Sequence, residues 1–193
     1  MLAVTDLHLR QIWPGAREVA DEINQVTTIA GIALHTELAH FVAQTIFETA
    51  GYRRWAEPSW VARAYEGRAD LGNTQQGDGV RFRGRGAIHL TGRDNYRRFG
   101  AWVVGHPLPG VVGVNPVDHP DFLLTPPYRF LAAAYYWSMT PGLAQAARED
   151  DVVVVTRLIQ GGTGGLAERT RLTARSLKVF AGAHEAAAME GGT

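Results

Sequence analysis

The chain has 193 residues, 46% hydrophobic and 20% charged, with 22 Gly, 9 Pro and no Cys. At roughly 150 residues per domain this reads as one domain, residues 1–193, able to bury most of its unfolded surface without covalent staples. The missing cysteine excludes disulfides, thiolate metal sites and a cysteine nucleophile, and nineteen Lys+Arg against nineteen Asp+Glu lack the basic surplus of a protein that coats nucleic acid.

The N-terminal run MLAVTDLHLRQIWPGAREVADEI mixes acids and bases without a secretory apolar region, and no stretch approaches the roughly 18 apolar residues of a membrane span. The expectation is synthesis in the cytoplasm without a signal peptide and no membrane partner. The spacing of Leu34, Leu38, Phe41, Val42 and Thr45 predicts a helix over about residues 30–50, with Gly51 as its C-cap. Two polar loops follow, around Gly72-Asn73 and Gly77-Asp78-Gly79. Residues 87–91 read as a short strand, and Thr91-Gly92-Arg93-Asp94 as a capping box opening a helix at about residue 92. After a long irregular excursion over residues 105–121, Pro126-Pro127 suit the entry to a helix carrying Leu131, Ala134, Tyr135 and Ser138. Residues 152–155 are four valines behind Asp150 and Asp151, read as a helix start rather than a strand. Leu166, Thr170, Thr173, Leu177 and Phe180 mark a last helix, with fraying expected from His184 onward.

Glu48 stands out by position. Seven steps of 100° bring it back to within about 20° of the direction of Phe41, so it lies on the apolar stripe of its helix. Partial burial and the negative end of the helix dipole both favour the protonated carboxyl, the state a general acid needs. The structural alternative is a buried glutamate paired with an arginine, and Arg53 and Arg54 are near in sequence. Glu57 follows nine residues later, between Trp55 and Trp60. Two carboxylates about 6.5–9.5 Å apart, with a water between, describe an inverting glycosidase, and tryptophans offer platforms for sugar rings; equally, Glu57 could be a surface charge and the tryptophans core anchors. Residues 77–100 hold Gly84 and Gly86, which allow close backbone approach, but neither a third glycine at dinucleotide spacing nor a phosphate-loop Lys-Ser/Thr. The six arginines of residues 81–98 form a basic patch open to an anionic polymer or to acids elsewhere in the chain.

The segment RFRGRGAIHLTGRDNYRRFG resembles the YGRGxIQLTGRxNY signature of glycoside hydrolase family 19, the family of chitinases and phage or bacterial lysozymes. In order along the chain, HFVAQTIFETAGYRRWAE is similar to that family's FLAQxxHESGGF…E block, AAAYYWSMT to its AxWFWxT helix, and IQGGTGGLAER to its INGGxNGLxxR segment; GRADLGNTQQGDG matches the loop before the signature in short bacterial forms. The similarity covers roughly residues 8–182. It implies a mainly α, lysozyme-like two-lobed domain with a substrate cleft, at most short strands, and no metal or organic cofactor. By the resemblance Glu48 is the general acid and Glu57 the base. Thr91 helps hold the attacking water, Asn95 and Tyr96 belong to the sugar-binding NY pair, and Arg169 tunes the acid electrostatically. The chain departs from the pattern at four places: Phe47 replaces a histidine, His89 a glutamine, Gln160 an asparagine and Gly164 a second asparagine. His89 and Gln160 can still hydrogen-bond a sugar. EPSWVARAY also lacks the family's ENLNY pattern, which leaves Glu66 as a fallback base.

The resemblance therefore implies an inverting hydrolase of β-1,4 bonds in N-acetylglucosamine-containing polysaccharide. It would be monomeric, acting on the cell wall after release or export, with peptidoglycan favoured and chitin second. Two rivals remain. One is a glycan- or wall-binding protein that kept the fold without the chemistry, suggested by Phe47, His89 and Gln160. The other is a nucleic-acid binder using the arginine patch, which the zero net charge and the absence of a binding motif disfavour.

Overall fold

The computed structural model describes residues 3–106, 111 and 113–190, the last six of these as backbone only. Its elements in chain order are α1 (Asp6–Ile12), α2 (Ala20–Ile29), α3 (His35–Thr49), α4 (Ser59–Ala62), α5 (Asp78–Arg81), α6 (Arg93–Gly105), α7 (Tyr128–Met139), α8 (Leu143–Arg148), α9 (Val152–Gln160) and α10 (Leu166–Glu190), with short 3₁₀ turns at 63–65, 69–71 and 120–124. Among the described residues there is no strand, only isolated bridges joining Ala56 to Arg85 and Arg85 to Leu90. The fold is mainly α. Contacts gather into two compact units, one made of the segments up to Arg53 and from Trp137 onward, the other of residues 54–136, with the boundary falling inside α7.

In the first unit α3 is enclosed on every side. Residues 37–46 are all buried, polar ones included, as expected of a helix apolar around most of its circumference. Each enclosed charge has a partner. The Glu37 carboxylate accepts from the Trp137 indole at 3.0 Å and from Arg148 at 3.4 Å, and His40 Nε2 lies 2.8 Å from Asp150. The N-terminal end differs from expectation, because Leu34 is half-exposed and caps the helix instead of joining its buried stripe. At the other end Ala50, Gly51 and Tyr52 all take left-handed backbone, with φ of 50°, 73° and 64°. Gly51 is required there, since its missing Cβ would lie 2.7 Å from the Trp13 indole nitrogen. Tyr52 is held in this costly conformation by its amide donating to Thr49 Oγ1 at 2.9 Å and by its buried phenol 3.1 Å from Thr45 Oγ1.

α10 packs along α3. Its buried stripe is Arg169, Leu172, Thr173, Ser176 and Phe180, rotated from the sequence reading, which had placed the exposed Thr170 on that face. The helix runs through Glu190, so the expected fraying from His184 is not seen; residues 191–193 lie outside the described residues. α9 confirms the helix at 152–155, with the Asp151 side chain accepting from the Val154 amide at 2.9 Å.

The second unit is built around two arginines. Arg85, 2% exposed, donates to Asp121 (2.9 Å), the Arg81 carbonyl (2.8 Å) and the Tyr96 hydroxyl (3.0 Å). Arg93 reaches both oxygens of buried Asp78, at 2.5 and 2.9 Å, and lies over the Phe82 ring. Two members of the expected basic patch are thus consumed inside the fold, which weakens the nucleic-acid reading. The predicted strand at 87–91 is instead a turn closed by backbone hydrogen bonds between Arg85 and Leu90 at 2.9 and 3.2 Å. The predicted capping box does not form either. Thr91 Oγ1 donates to the His89 carbonyl at 2.8 Å, and the first amide of α6, that of Arg93, is taken by Asn73 Oδ1 at 2.9 Å. α7 is buried around most of its surface, yet Ser138, expected on its inner face, is exposed. Residues 107–110 and 112 of the 105–121 excursion lie outside the described residues.

His40 gives a pH test of the first unit. Burial holds its imidazole below the usual 6.5, the Asp150 carboxylate only partly opposing this, and Nδ1 faces no partner that could accept a second proton. The unfolded chain therefore takes up the proton first, so stability falls as pH drops below about 6.5. Glu37, raised by burial from 4.5, has the opposite slope and acts upward from that lower pH. Tm measured at pH 7.5 and 5.5 should fall on acidification, and His40→Gln, which can still donate to Asp150, should flatten that fall.

Candidate active site

In the first unit the chemistry gathers at the last turn of α3. The Glu48 side chain is 15% exposed, and its Oε1 accepts from Arg169 Nη2 at 2.5 Å. The buried-pair alternative names the right interaction and the wrong arginine. Arg53 donates to the Gly15 carbonyl at 2.9 Å, whereas the guanidinium at Glu48 arrives from α10, 121 residues along the chain. Arg169 is 1% exposed, so its guanidinium is presented to Glu48 and is not open to a ligand. Its Nε donates to the Gly164 carbonyl at 3.3 Å, its Nη1 to Gln44 Oε1, and its plane lies 4.1 Å over the Phe47 ring. Phe47, where the family pattern has histidine, is thus the floor on which the guanidinium rests. Gln160 is exposed, its amide laid against Gly164.

In the second unit Glu57 is half-buried and fixed at both oxygens. Oε1 accepts from the Tyr65 hydroxyl at 3.1 Å and Oε2 from the Gly84 amide at 3.1 Å, while the Glu57 amide donates to the Gly84 carbonyl at 3.0 Å. Gly84 has a steric reason to be glycine, since a Cβ there would lie 2.7 Å from Glu57 Oε2 and 2.8 Å from the His89 Cβ. His89 sits at the corner of the 85–90 turn with φ 50°, its Nε2 3.3 Å from the Arg54 carbonyl. Thr91 and Asn95 are half-buried, and Asn95 Nδ2 donates to the Thr91 carbonyl at 2.7 Å. The structure therefore brings Glu57, Gly84 and His89 together and links Thr91 to both His89 and Asn95.

Three sequence expectations change. Tyr96 is fully buried, its hydroxyl donating to the Arg83 carbonyl at 2.6 Å, so it braces the loop from behind and presents nothing to a sugar. Trp55 is a packing residue, edge-on to Phe130 and under the Arg129 guanidinium, whereas Trp60 is 74% exposed and free to stack. Glu66 accepts from the amides of Gly77 and Gly79 at 2.6 and 2.8 Å, so it secures that loop. Sequence reading missed Gln44 and Tyr65. Gln44 had a signal, a polar residue on the same stripe one turn before Glu48; Tyr65 had none.

The floor under Arg169 can be tested. Gly165 has φ 69°, and a Cβ there would overlap the Phe47 ring. Gly165→Ala should cost about 1–3 kcal/mol in urea unfolding and reduce activity. Gly162→Ala, whose Cβ would meet nothing within 4 Å, should stay within about 0.5 kcal/mol of the parent.

No family model matches the sequence. Among curated proteins it is 28% identical to a glycosyl hydrolase family 19 domain-containing protein of Haemophilus influenzae, over 89% of this chain and 94% of that one. It is 31% identical to acidic endochitinase Q of Nicotiana tabacum and 29% to endochitinase 1 of Theobroma cacao, covering 66% and 61% of this chain. The chain spans only 44% and 37% of the length of those plant proteins. Among solved structures, chitinase C from Streptomyces griseus superposes with a TM-score of 0.70 at 17% identity, over 93% of this chain and 77% of that one. A bacterial family 19 chitinase gives 0.71 at 16% identity, over 93% and 95%. The structures share the fold, and the bacterial relative matches along nearly its whole length. The chain is a chitinase-like glycosidase, similar in sequence to glycoside hydrolase family 19 proteins and in fold to the chitinases of that family.

Proposed function

We propose that the chain hydrolyses β-1,4 bonds in N-acetylglucosamine-containing polysaccharide with inversion, acting as a monomer on a cell-wall or chitinous substrate that it reaches after release or export. Glu48 protonates the glycosidic oxygen as the C1–O bond breaks. Glu57 takes a proton from the water whose oxygen bonds C1 from the opposite face. The observation that carries this reading is that each of the two glutamates has a carboxylate fixed by dedicated partners: Arg169 at Glu48, and the Tyr65 hydroxyl and Gly84 amide at Glu57. Glu57 is preferred to Glu66 as the base because it shares its surroundings with Gly84 and His89, whereas Glu66 secures a loop.

Chitin is the favoured substrate and peptidoglycan the second. The sequence alone favoured peptidoglycan, but two of the relatives are named endochitinases. The rival reading, a glycan-binding protein without turnover, draws on Phe47 in place of the pattern's histidine. Release of oligosaccharides from chitin and from purified peptidoglycan by parent and Glu48→Gln separates these readings. An enzyme loses on the order of 10²–10⁴ in rate on an unactivated polysaccharide, while a binder shows no turnover in either.

The base is tested with azide. On a β-configured substrate with a good leaving group, Glu57→Gly should yield the α-glycosyl azide when azide is supplied, and Glu66→Ala should remain near parent activity. Rescue of Glu66→Gly, with Glu57→Gly active unaided, would exchange the two assignments. Trp60→Ala should raise KM for chitin oligosaccharides by roughly 3–10-fold if the exposed indole stacks on a sugar.

A further inference from the structure

We infer that Gln44 is a positioning residue, its neutral side-chain oxygen fixing the Arg169 guanidinium so that the charge of that arginine is directed at Glu48. The inference rests on the reading of Glu48 as the acid and deepens it. Gln44 precedes Glu48 by one turn of α3, on the same face, and is 0% exposed. Its Oε1 accepts from Arg169 Nη1, while its buried Nε2 has no hydrogen-bond partner. A buried amide with an orphaned NH₂ is a standing cost that an apolar side chain of the same shape would not carry. A residue kept for packing alone would therefore not be glutamine, and the task lies with the oxygen.

That oxygen has to be uncharged. The other named contacts of Arg169, the Gly164 carbonyl and the Phe47 ring, are neutral as well, so among them Glu48 alone carries charge. The remaining charged groups on the helices around α3 are engaged elsewhere or exposed. Arg148 of α8 meets Glu37, Asp150 meets His40, Arg157 of α9 is exposed, and on α10 Glu168 pairs with Arg171 while Arg175 donates to the Ile12 carbonyl. A carboxylate at position 44 would divide the guanidinium between two anions. The amide holds it in place without competing.

The test uses the full chain with ¹³C-labelled glutamate side chains, the Glu48 carboxyl resonance being identified by its loss in Glu48→Gln. Gln44→Glu, of equal size, should raise the Glu48 titration midpoint by about one pH unit or more. The alkaline limb of kcat on chitin oligosaccharides should move up with it, while KM stays within about twofold. Gln44→Met keeps the bulk and removes the acceptor; it should lower kcat about tenfold with KM again little changed. Midpoint and kcat equal to the parent in both variants, whatever their Tm, overturn the inference. If Gln44→Glu does not fold, Gln44→Met decides it alone. The activity of Glu48→Gln is read separately: parent-like turnover removes the acid assignment, while the resonance shift still reports whether Gln44 governs the Arg169–Glu48 pair.

Discussion

A guanidinium that is 1% exposed dictates much of the first unit. Taking an ion out of water costs several kcal/mol even after relaxation, and the cost is recovered only where geometry and hydrogen bonding are both good. Arg169 meets that demand from four directions, with Glu48, Gln44, the Gly164 carbonyl and the Phe47 face. Three of those contacts come from one turn of α3 and one from the loop leading into α10. Helix register, the glycines at 164–165 and the aromatic at 47 are therefore mutually constrained. Removing the carboxylate partner alone would leave an unpaired buried charge, which is why changes here cannot be read as surface edits.

The second unit uses the same device to organise loops. Between Glu57 and α6 regular structure is sparse, and a segment of this kind has to find partners for its backbone groups away from helix ladders. Arg85 supplies donors to the 81 and 83 carbonyls, and Asn73 closes both the Tyr65 carbonyl and the first amide of α6. Gly84 then lets the Glu57 carboxylate approach the backbone closely enough to accept from it. A carboxylate held this way owes its position to a chain of single hydrogen bonds, not to a packed helix.

What could be read from sequence follows from this division. α3, α7, α9 and α10 were legible because apolar spacing or an acidic N-cap marks them locally. The face of α10 was misjudged because its buried stripe carries Arg169, a charged residue whose tertiary partners no local pattern reveals, and Ser176, a polar residue buried without a hydrogen-bond partner. The start of α6 was assigned to Thr91, whereas the acceptor is Asn73, twenty residues upstream. Residues 87–91 look like a strand by composition, but the chain turns there around His89. At the site, Glu48 was singled out by helical position alone; Glu57 rested on the family resemblance, and the burial of Tyr96 was invisible to it.

The enclosure of α3 also sets where motion can occur. Amides of a helix buried on all sides exchange with solvent only when the surrounding unit opens cooperatively, whereas irregular loops open locally at far lower free energy. Glu48, two residues before three left-handed residues stop that helix, moves with the most protected element of its unit and keeps its orientation until the unit as a whole unfolds. Fluctuation on the faster timescales of loops belongs to the segment bearing Glu57, Trp60 and the 72–79 turns. Of the two carboxylates, one is clamped by a folding core, and the other rides on a segment that can open locally.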